Sequence, residues 1–222
     1  MHNVIPMLAK HQEQISFMLY VFMVLGVIAA SMSGVIRAIE ARMDITGSIL
    51  LAFINSNAGG TVRDLILGTT VFWVQDQFYI WLTFIIGATS FIIIYYKKNV
   101  IGSRKLHKIL IITDAMGLAA FCLAGVEKSL GMGQNNVIAI IMGIWTAIGG
   151  GVAADIIANR VPLVFSQELY ITVAFVGSIV FLLLAGFLHM NHVIAGMFAA
   201  LIMVLLRLYS VKHKIKLPII KT

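Results

Sequence analysis

Charge is scarce in this chain of 222 residues: 11% of them are Asp, Glu, Lys or Arg, and acids number nine. Soluble domains carry about 25% charged residues, so a water-exposed surface cannot be covered here. That shortage excludes a soluble enzyme, a disordered chain and a nucleic-acid-binding domain. There are three prolines, and one cysteine, Cys122, so an intrachain disulfide is impossible. Cys122 sits in an apolar run and reads as a small packing residue. No Gly-x-Ser-x-Gly, His-Glu-x-x-His or P-loop pattern occurs. An aspartyl pair for intramembrane proteolysis lacks its Gly-x-Gly-Asp context. Enzymatic chemistry and a resident cofactor are therefore not expected.

What is present is apolar sequence, 60% of the chain, with a net charge of +7. Runs fall near 15–36, 45–58, 78–96, 107–126, 136–149, 168–188 and 193–211. At 1.5 Å per residue most are long enough to cross a hydrocarbon core of about 30 Å. Continuous runs without alternation argue against a β-barrel. The expectation is an all-α membrane protein with seven transmembrane helices in one polytopic domain, residues 1–222. The first run is too long for a signal-peptide core.

The second and fifth runs are short. They end in Ala58-Gly59-Gly60 and Gly149-Gly150-Gly151, then resume as 61–68 and 152–158. Glycine tolerates non-helical backbone, so helices two and five are predicted to be glycine-broken, with freed carbonyls facing protein or water. Freed carbonyls suit a cation, and the following helix N-terminus suits an anion.

Basic residues are unevenly placed. Thirteen fall on one side of a seven-span layout, among them Arg37, Lys97, Lys98, Lys108, Arg160, Arg207, Lys212, Lys216 and Lys221; Lys10, Arg63 and Lys128 fall on the other. The positive-inside rule then puts the N-terminus outside and the C-terminus in the cytoplasm.

A shift of 91 residues aligns the two halves without a gap: Gly26 with Gly117, Gly34-Val35 with Gly125-Val126, Gly59-Gly60 with Gly150-Gly151, Asp64 with Asp155, and Tyr79-Ile80 with Tyr170-Ile171. Each repeat, about 15–96 and about 107–188, holds three spans. An odd number inverts the second copy, and the helix at about 193–211 is left outside the pair. Paired interruptions in inverted repeats point to a substrate or ion path.

The path candidates are Gly59, Gly60, Arg63, Asp64, Gly149, Gly150, Gly151 and Asp155. Arg63 and Asp64 are costly in hydrocarbon and should be paired or wet. Because Ala154 stands opposite Arg63 in the repeat, Arg63 is expected to pair across the pseudo-axis, as a brace, a gate or both. Asp114 caps the fourth span, reaches the interface or joins the path. Glu127 and Lys128 read as interfacial charges or path residues. His189 and His192 lack a third ligand for a metal. Trp73, Trp81 and Tyr79 are expected in one interfacial belt, with Tyr95 and Tyr96 in the other.

Gly-Gly-Thr-Val-Arg-Asp-Leu-Ile-Leu-Gly at 59–68, Arg-Met-Asp-Ile-Thr-Gly at 42–47, Asp114-Ala-Met-Gly-Leu, Gly-Gly-Gly-Val-Ala-Ala-Asp at 149–155 and Arg160-Val-Pro-Leu-Val-Phe resemble the bacterial members of the trimeric intracellular cation channel (TRIC) family, also labelled UPF0126 or glycine transporter domain proteins. The resemblance spans about 16–218. It implies a homotrimer in the inner membrane, with one pore per protomer through kinked helices two and five. Monovalent cations, chiefly K⁺ and also Na⁺, would permeate. It assigns the pore kinks to the five glycines and pore charge to Arg63, Asp64 and Asp155. Two departures stand out. Ala154 replaces an Arg that bacterial relatives often carry, and Val126-Glu127-Lys128 stands where animal channels have Lys-Glu-Val and a basic phosphoinositide site. The alternatives are a secondary transporter of a small amino acid such as glycine, and a structural trimer without flux.

Overall fold

A computed structural model describes residues 4–97, 103–166 and 169–215, with side chains described from Phe17 onward except Ser166. Lys98, Lys216 and Lys221 of the basic tally lie outside the described residues, as does the side chain of Lys10. The described chain is helical throughout: α1 Val4–Glu40, α2 Ile45–Ile66, α3 Phe72–Gln75, α4 Phe78–Tyr96, α5 Arg104–Gly131, α6 Asn136–Ile157, α7 Leu163–Ser166, α8 Tyr170–Leu182 and α9 His192–His213. A π-helical turn, Leu183–Phe187, extends α8.

Six segments are long and apolar enough to cross a bilayer: Phe17–Glu40 of α1, α4, α5, α6, Tyr170–Phe187 and α9. The expected second span, α2, does not reach that standard. Its buried face carries Ser48, Asn55, Ser56, Asn57, Arg63 and Asp64, which lower its hydropathy. These residues are directed into protein rather than lipid, and an apolarity criterion cannot recognise a helix of that kind.

The halves agree in detail. Helix α6 begins and ends 91 residues after α2, α7 after α3, and α5 ends 91 residues after α1. Asp44 caps α2 by accepting from the Gly47 amide at 2.7 Å, and Asn135 caps α6 by accepting from the Ile138 amide at 3.0 Å. Both helices close with the same C-terminal motif. Left-handed residues, Gly68 at φ 67° and Asn159 at φ 53°, follow the last turns. The next amides, Thr69 and Arg160, reach back to the Asp64 and Asp155 carbonyls at 2.9 and 2.8 Å.

The expected breaks are absent. Helical structure runs through Gly59-Gly60 in α2 and through Gly149–Gly151 in α6. The glycines serve proximity instead of unwinding. A Cβ on Gly59 would run into the Thr146 carbonyl oxygen, and one on Gly150 into the Asn55 carbonyl oxygen. One on Gly149 would stand 2.9 Å from the Gly59 Cα. Asn55 and Thr146 are themselves 91 residues apart, so the two helices make one contact twice. Each glycine in a helix costs about 1 kcal/mol relative to alanine, and close backbone packing offsets it.

Around this crossing α1 packs on α2 and α5, and α5 on α6. Helix α5 is the most enclosed of the spans and α4 the least. Helix α9 lies against α5 and α8.

Candidate functional site

Two clusters of buried charge flank the α2–α6 crossing, and each joins the halves of the chain. In the first, Asp64 on α2 is fully buried. Its Oδ1 accepts from Arg63 Nε and from Lys128 Nζ of α5, each at 2.7 Å. Its Oδ2 accepts from the Phe72 amide, 2.8 Å away at the start of α3. In the second, Asp155 on α6 has its Oδ1 3.1 Å from Arg37 Nε of α1. Its Oδ2 accepts from the Leu163 amide at 3.1 Å, at the start of α7.

All three parts of the arrangement recur at the same 91-residue offset: Asp64 and Asp155, Phe72 and Leu163, Lys128 and Arg37. The cation from one repeat therefore pairs with the acid from the other, twice. Each carboxylate shares its oxygens between a charge and the backbone amide opening a short helix, so both acids are held by charge-assisted bonds.

Beyond that shared frame the clusters differ. Arg37 Nη2 donates to Asp114 Oδ1 at 2.6 Å, and its Nη1 to Asn55 Oδ1 at 3.2 Å and Ser33 Oγ at 3.0 Å. With the guanidinium so engaged, the Nε–Asp155 contact joins opposite charges without a well-aimed hydrogen bond. Position 114 corresponds to Met23 in the first half, and Met23 Sδ lies 3.8 Å from Arg63 Nη1. Arg63 also stands 5.9 Å from the centre of the Phe72 ring. The formal charges follow: Arg63, Lys128 and Asp64 sum to +1, while Arg37, Asp114 and Asp155 sum to −1. A narrow cavity beside the second cluster is lined by Ser33, Asn55, Asp114, Gly151 and Tyr170.

Several expectations are corrected here. Arg63 does not pair across the pseudo-axis; it bonds its neighbour Asp64, and Lys128 makes the cross-repeat contact. Asp114 is neither a cap nor an interfacial group but a buried partner of Arg37. Lys128 pairs inward, its side chain 16% exposed. Glu127 is wholly buried, with Oε1 2.7 Å from His192 Nδ1. Among the described residues no cluster of three metal-ligating side chains forms around either histidine. Arg37 and Arg207, counted among basic loops, are 1% and 2% exposed. Arg207 stands 4.5 Å from the centre of the Tyr170 ring.

Of the expected outer belt, Trp81 is 64% exposed. Tyr79 is buried, and Trp73 Nε1 donates to Thr61 Oγ1 at 2.9 Å. Tyr95 and Tyr96 are exposed, and Cys122 is a buried free thiol. Arg37 is the site residue missed by reading along the chain. Its signal was the same shift that pairs the acids, which sets Arg37 opposite Lys128.

Fold and site together define a multi-pass helical membrane protein built on a duplicated unit, with ionisable side chains buried along a helix crossing. The family sequence model described as "Glycine transporter" matches residues 20–95 and again 111–186. The chain is 35% identical over 204 residues to a Vibrio cholerae UPF0126 membrane protein, covering 90% of this chain and 82% of that one. It is 30% identical over 197 residues to the Escherichia coli UPF0126 inner membrane protein YadS, covering 88% and 92%. Its fold is similar to the TRIC trimeric intracellular cation channel orthologue from Rhodobacter sphaeroides, with TM-score 0.79, 29% identity and coverage of 88% and 97%. It is also similar to a prokaryotic TRIC channel crystallised in 0.5 M KCl, with TM-score 0.80, 28% identity and coverage of 89% and 98%. The chain belongs to the bacterial TRIC family.

Proposed function

We propose that the protein is a cation channel of the inner membrane, a homotrimer with one path per protomer for monovalent cations, K⁺ foremost and Na⁺ also. The path follows the α2–α6 crossing between the two charge clusters, past Gly59, Gly60, Arg63, Asp64, Gly149, Gly150, Gly151 and Asp155. The observation carrying this reading is the pair of crossed ion contacts, Lys128–Asp64 and Arg37–Asp155. Ionised groups at membrane depth face a bundle interior or a water-filled cavity. Here two acids, on α2 and α6, each contact a base from the opposite half of the chain. The likeness to solved cation channels supports the same reading.

In this reading the repeats are inverted, α2 is a seventh crossing helix, the N-terminus is outside and the C-terminus cytoplasmic. On this reading the path is shut, because α2 and α6 pack so closely that neither Gly59 nor Gly149 has room for a Cβ. Opening must separate the helices while the crossed pairs exchange protein partners for water or the permeant cation. The acids supply ligands for the passing ion, and Arg63 sets an electrostatic barrier that Asp64 offsets.

The test is a planar-bilayer recording of the purified protein in asymmetric KCl, then in NaCl. Unitary currents reversing near the K⁺ equilibrium potential are expected. Currents reversing near the Cl⁻ potential overturn the reading, as does saturable glycine uptake without unitary currents, the transporter outcome.

A further inference from the structure

We propose that Arg207 of α9 is a positioning residue of the gate: it holds Tyr170 against the second charge cluster and keeps the path beside Gly151 closed. The inference rests on the channel reading and adds to it a helix from outside the duplicated unit. Helix α9 lies beyond both segments that match the family model, 20–95 and 111–186. Its Arg207 is nonetheless 2% exposed, and the guanidinium carbon stands 4.5 Å from the centre of the Tyr170 ring. An arginine that close to an aromatic ring is attracted by the ring quadrupole, more strongly where water is excluded.

Comparison of the two halves shows what α9 supplies. In the first half, Arg63 of α2 stands 5.9 Å from the centre of the Phe72 ring, and Phe72 meets Tyr79 edge to face at 5.1 Å. Phe72 also fills the space over Gly60, where a Cβ would come within 2.6 Å of its ring. At the matching places the second half has Ala154 for Arg63 and Leu163 for Phe72, while Gly151 keeps the place of Gly60. Both the arginine and the covering ring are gone. Tyr170, the counterpart of Tyr79, is the aromatic that remains, and its arginine comes from α9.

The hydroxyl end of Tyr170 shows what the ring closes. A Cβ on Gly151 would lie 3.7 Å from Arg37 Nη2, 3.9 Å from Asn55 Oδ1 and 3.9 Å from the Tyr170 hydroxyl. Without a ring over Gly151, the narrow cavity lined by Ser33, Asn55, Asp114, Gly151 and Tyr170 is left beside the cluster. Ser33, Asn55 and Asp114 are each hydrogen-bonded to Arg37. Tyr170 is held through its ring, from α9. Displacing that ring widens the cavity beside the second cluster, and Arg207 opposes the displacement.

Single-channel recording in KCl tests it, with open probability compared against the unfolding midpoint of each variant. Arg207→Leu is expected to raise open probability about threefold or more by releasing the ring. Arg207→Lys keeps the charge without the flat guanidinium and should raise it less. In a Tyr170→Leu background, Arg207→Leu should add nothing further, because the two side chains act as one contact. If Arg207→Leu does not assemble, Arg207→Lys and Tyr170→Phe carry the test, and each should raise open probability. Lowered unfolding midpoints with unaltered open probability overturn the proposal and leave Arg207 a packing residue. So does an Arg207→Leu effect that persists in full without the Tyr170 ring. A wild-type protein without unitary currents defeats the channel reading itself, and this inference with it.

Discussion

The two buried aspartates look equivalent in sequence, but their surroundings make them unequal. Among the described residues Asp64 is the sole carboxylate paired with Arg63 and Lys128. Asp155 shares Arg37 with Asp114, and Arg37 has further acceptors in Asn55 and Ser33. Asp64→Asn would leave buried Arg63 and part-buried Lys128 without an acid, a formal +2. Asp155→Asn would leave a satisfied Arg37–Asp114 pair of zero net charge. Orphaning a buried charge costs about 3–5 kcal/mol. Asp64→Asn is expected to destabilise by that order and Asp155→Asn by about 1 kcal/mol, the size of an ordinary lost hydrogen bond. Denaturation of the two variants in the same detergent measures the difference. Equal losses would mean that the clusters are not set apart by Asp114. At this scale the chain was partly legible. The acids stood out because carboxylates are rare in apolar runs. Arg37 was masked by its position near a helix end, where a base reads as a loop residue. Only a charge map of the repeat, Arg37 on Lys128, would have exposed it.

At the scale of the element, the glycine groups were correctly seen as special and wrongly read as breaks. Sequence shows that a position lacks a side chain; it does not show whether the space is used by bending the backbone or by another helix. Here the partner helix uses it. That distinction also separates glycines that a run of three had joined. A Cβ on Gly150 meets backbone that cannot rotate away, while one on Gly151 would have its nearest neighbour at 3.7 Å, an ordinary contact with Arg37 Nη2. Gly150→Ala is expected to cost about 1–3 kcal/mol through forced separation of α2 and α6. Gly151→Ala should be neutral, or stabilising by as much as about 1 kcal/mol through helix propensity. Unfolding midpoints of the two variants decide it. If Gly151→Ala proved the more damaging, the glycines would matter through backbone flexibility and not through contact. Span limits were legible to within a few residues because apolar runs and capping residues such as Asn135 mark them. The short helices α3 and α7 were not, since four residues carry no periodicity. Yet these two supply the amides that hold the aspartates.

Over the whole molecule, the frame is duplicated while the charge is not. The first cluster is formally +1 and the second −1, and the difference lies in two sites: Arg63 against Ala154, and Met23 against Asp114. A cation following the α2–α6 crossing would meet an unfavourable cluster and a favourable one in series, and the first would limit its passage. Met23→Asp would copy the second half into the first. Met23 Sδ already lies 3.8 Å from an Arg63 nitrogen, so the new carboxylate would have a partner in place and the cluster would become neutral. One unit of charge at about 8 Å changes the energy of a passing ion by roughly 0.5–2 kcal/mol for dielectric constants between about 80 and 20. Unitary K⁺ conductance should therefore rise roughly two- to thirtyfold in Met23→Asp, with the larger effect at low salt, where screening is weak. Asp114→Met removes the extra acid from the favourable cluster and leaves a neutral Arg37–Asp155 pair. On the proposed path the first cluster would still limit flow, so the effect on conductance should be smaller, and a loss of preference for K⁺ over Cl⁻ should be the clearer sign. Single-channel recordings of both variants at two ionic strengths test the order. A larger conductance change in Asp114→Met would move the limiting step to the second cluster, and no change in either variant would place the ion elsewhere in the protein.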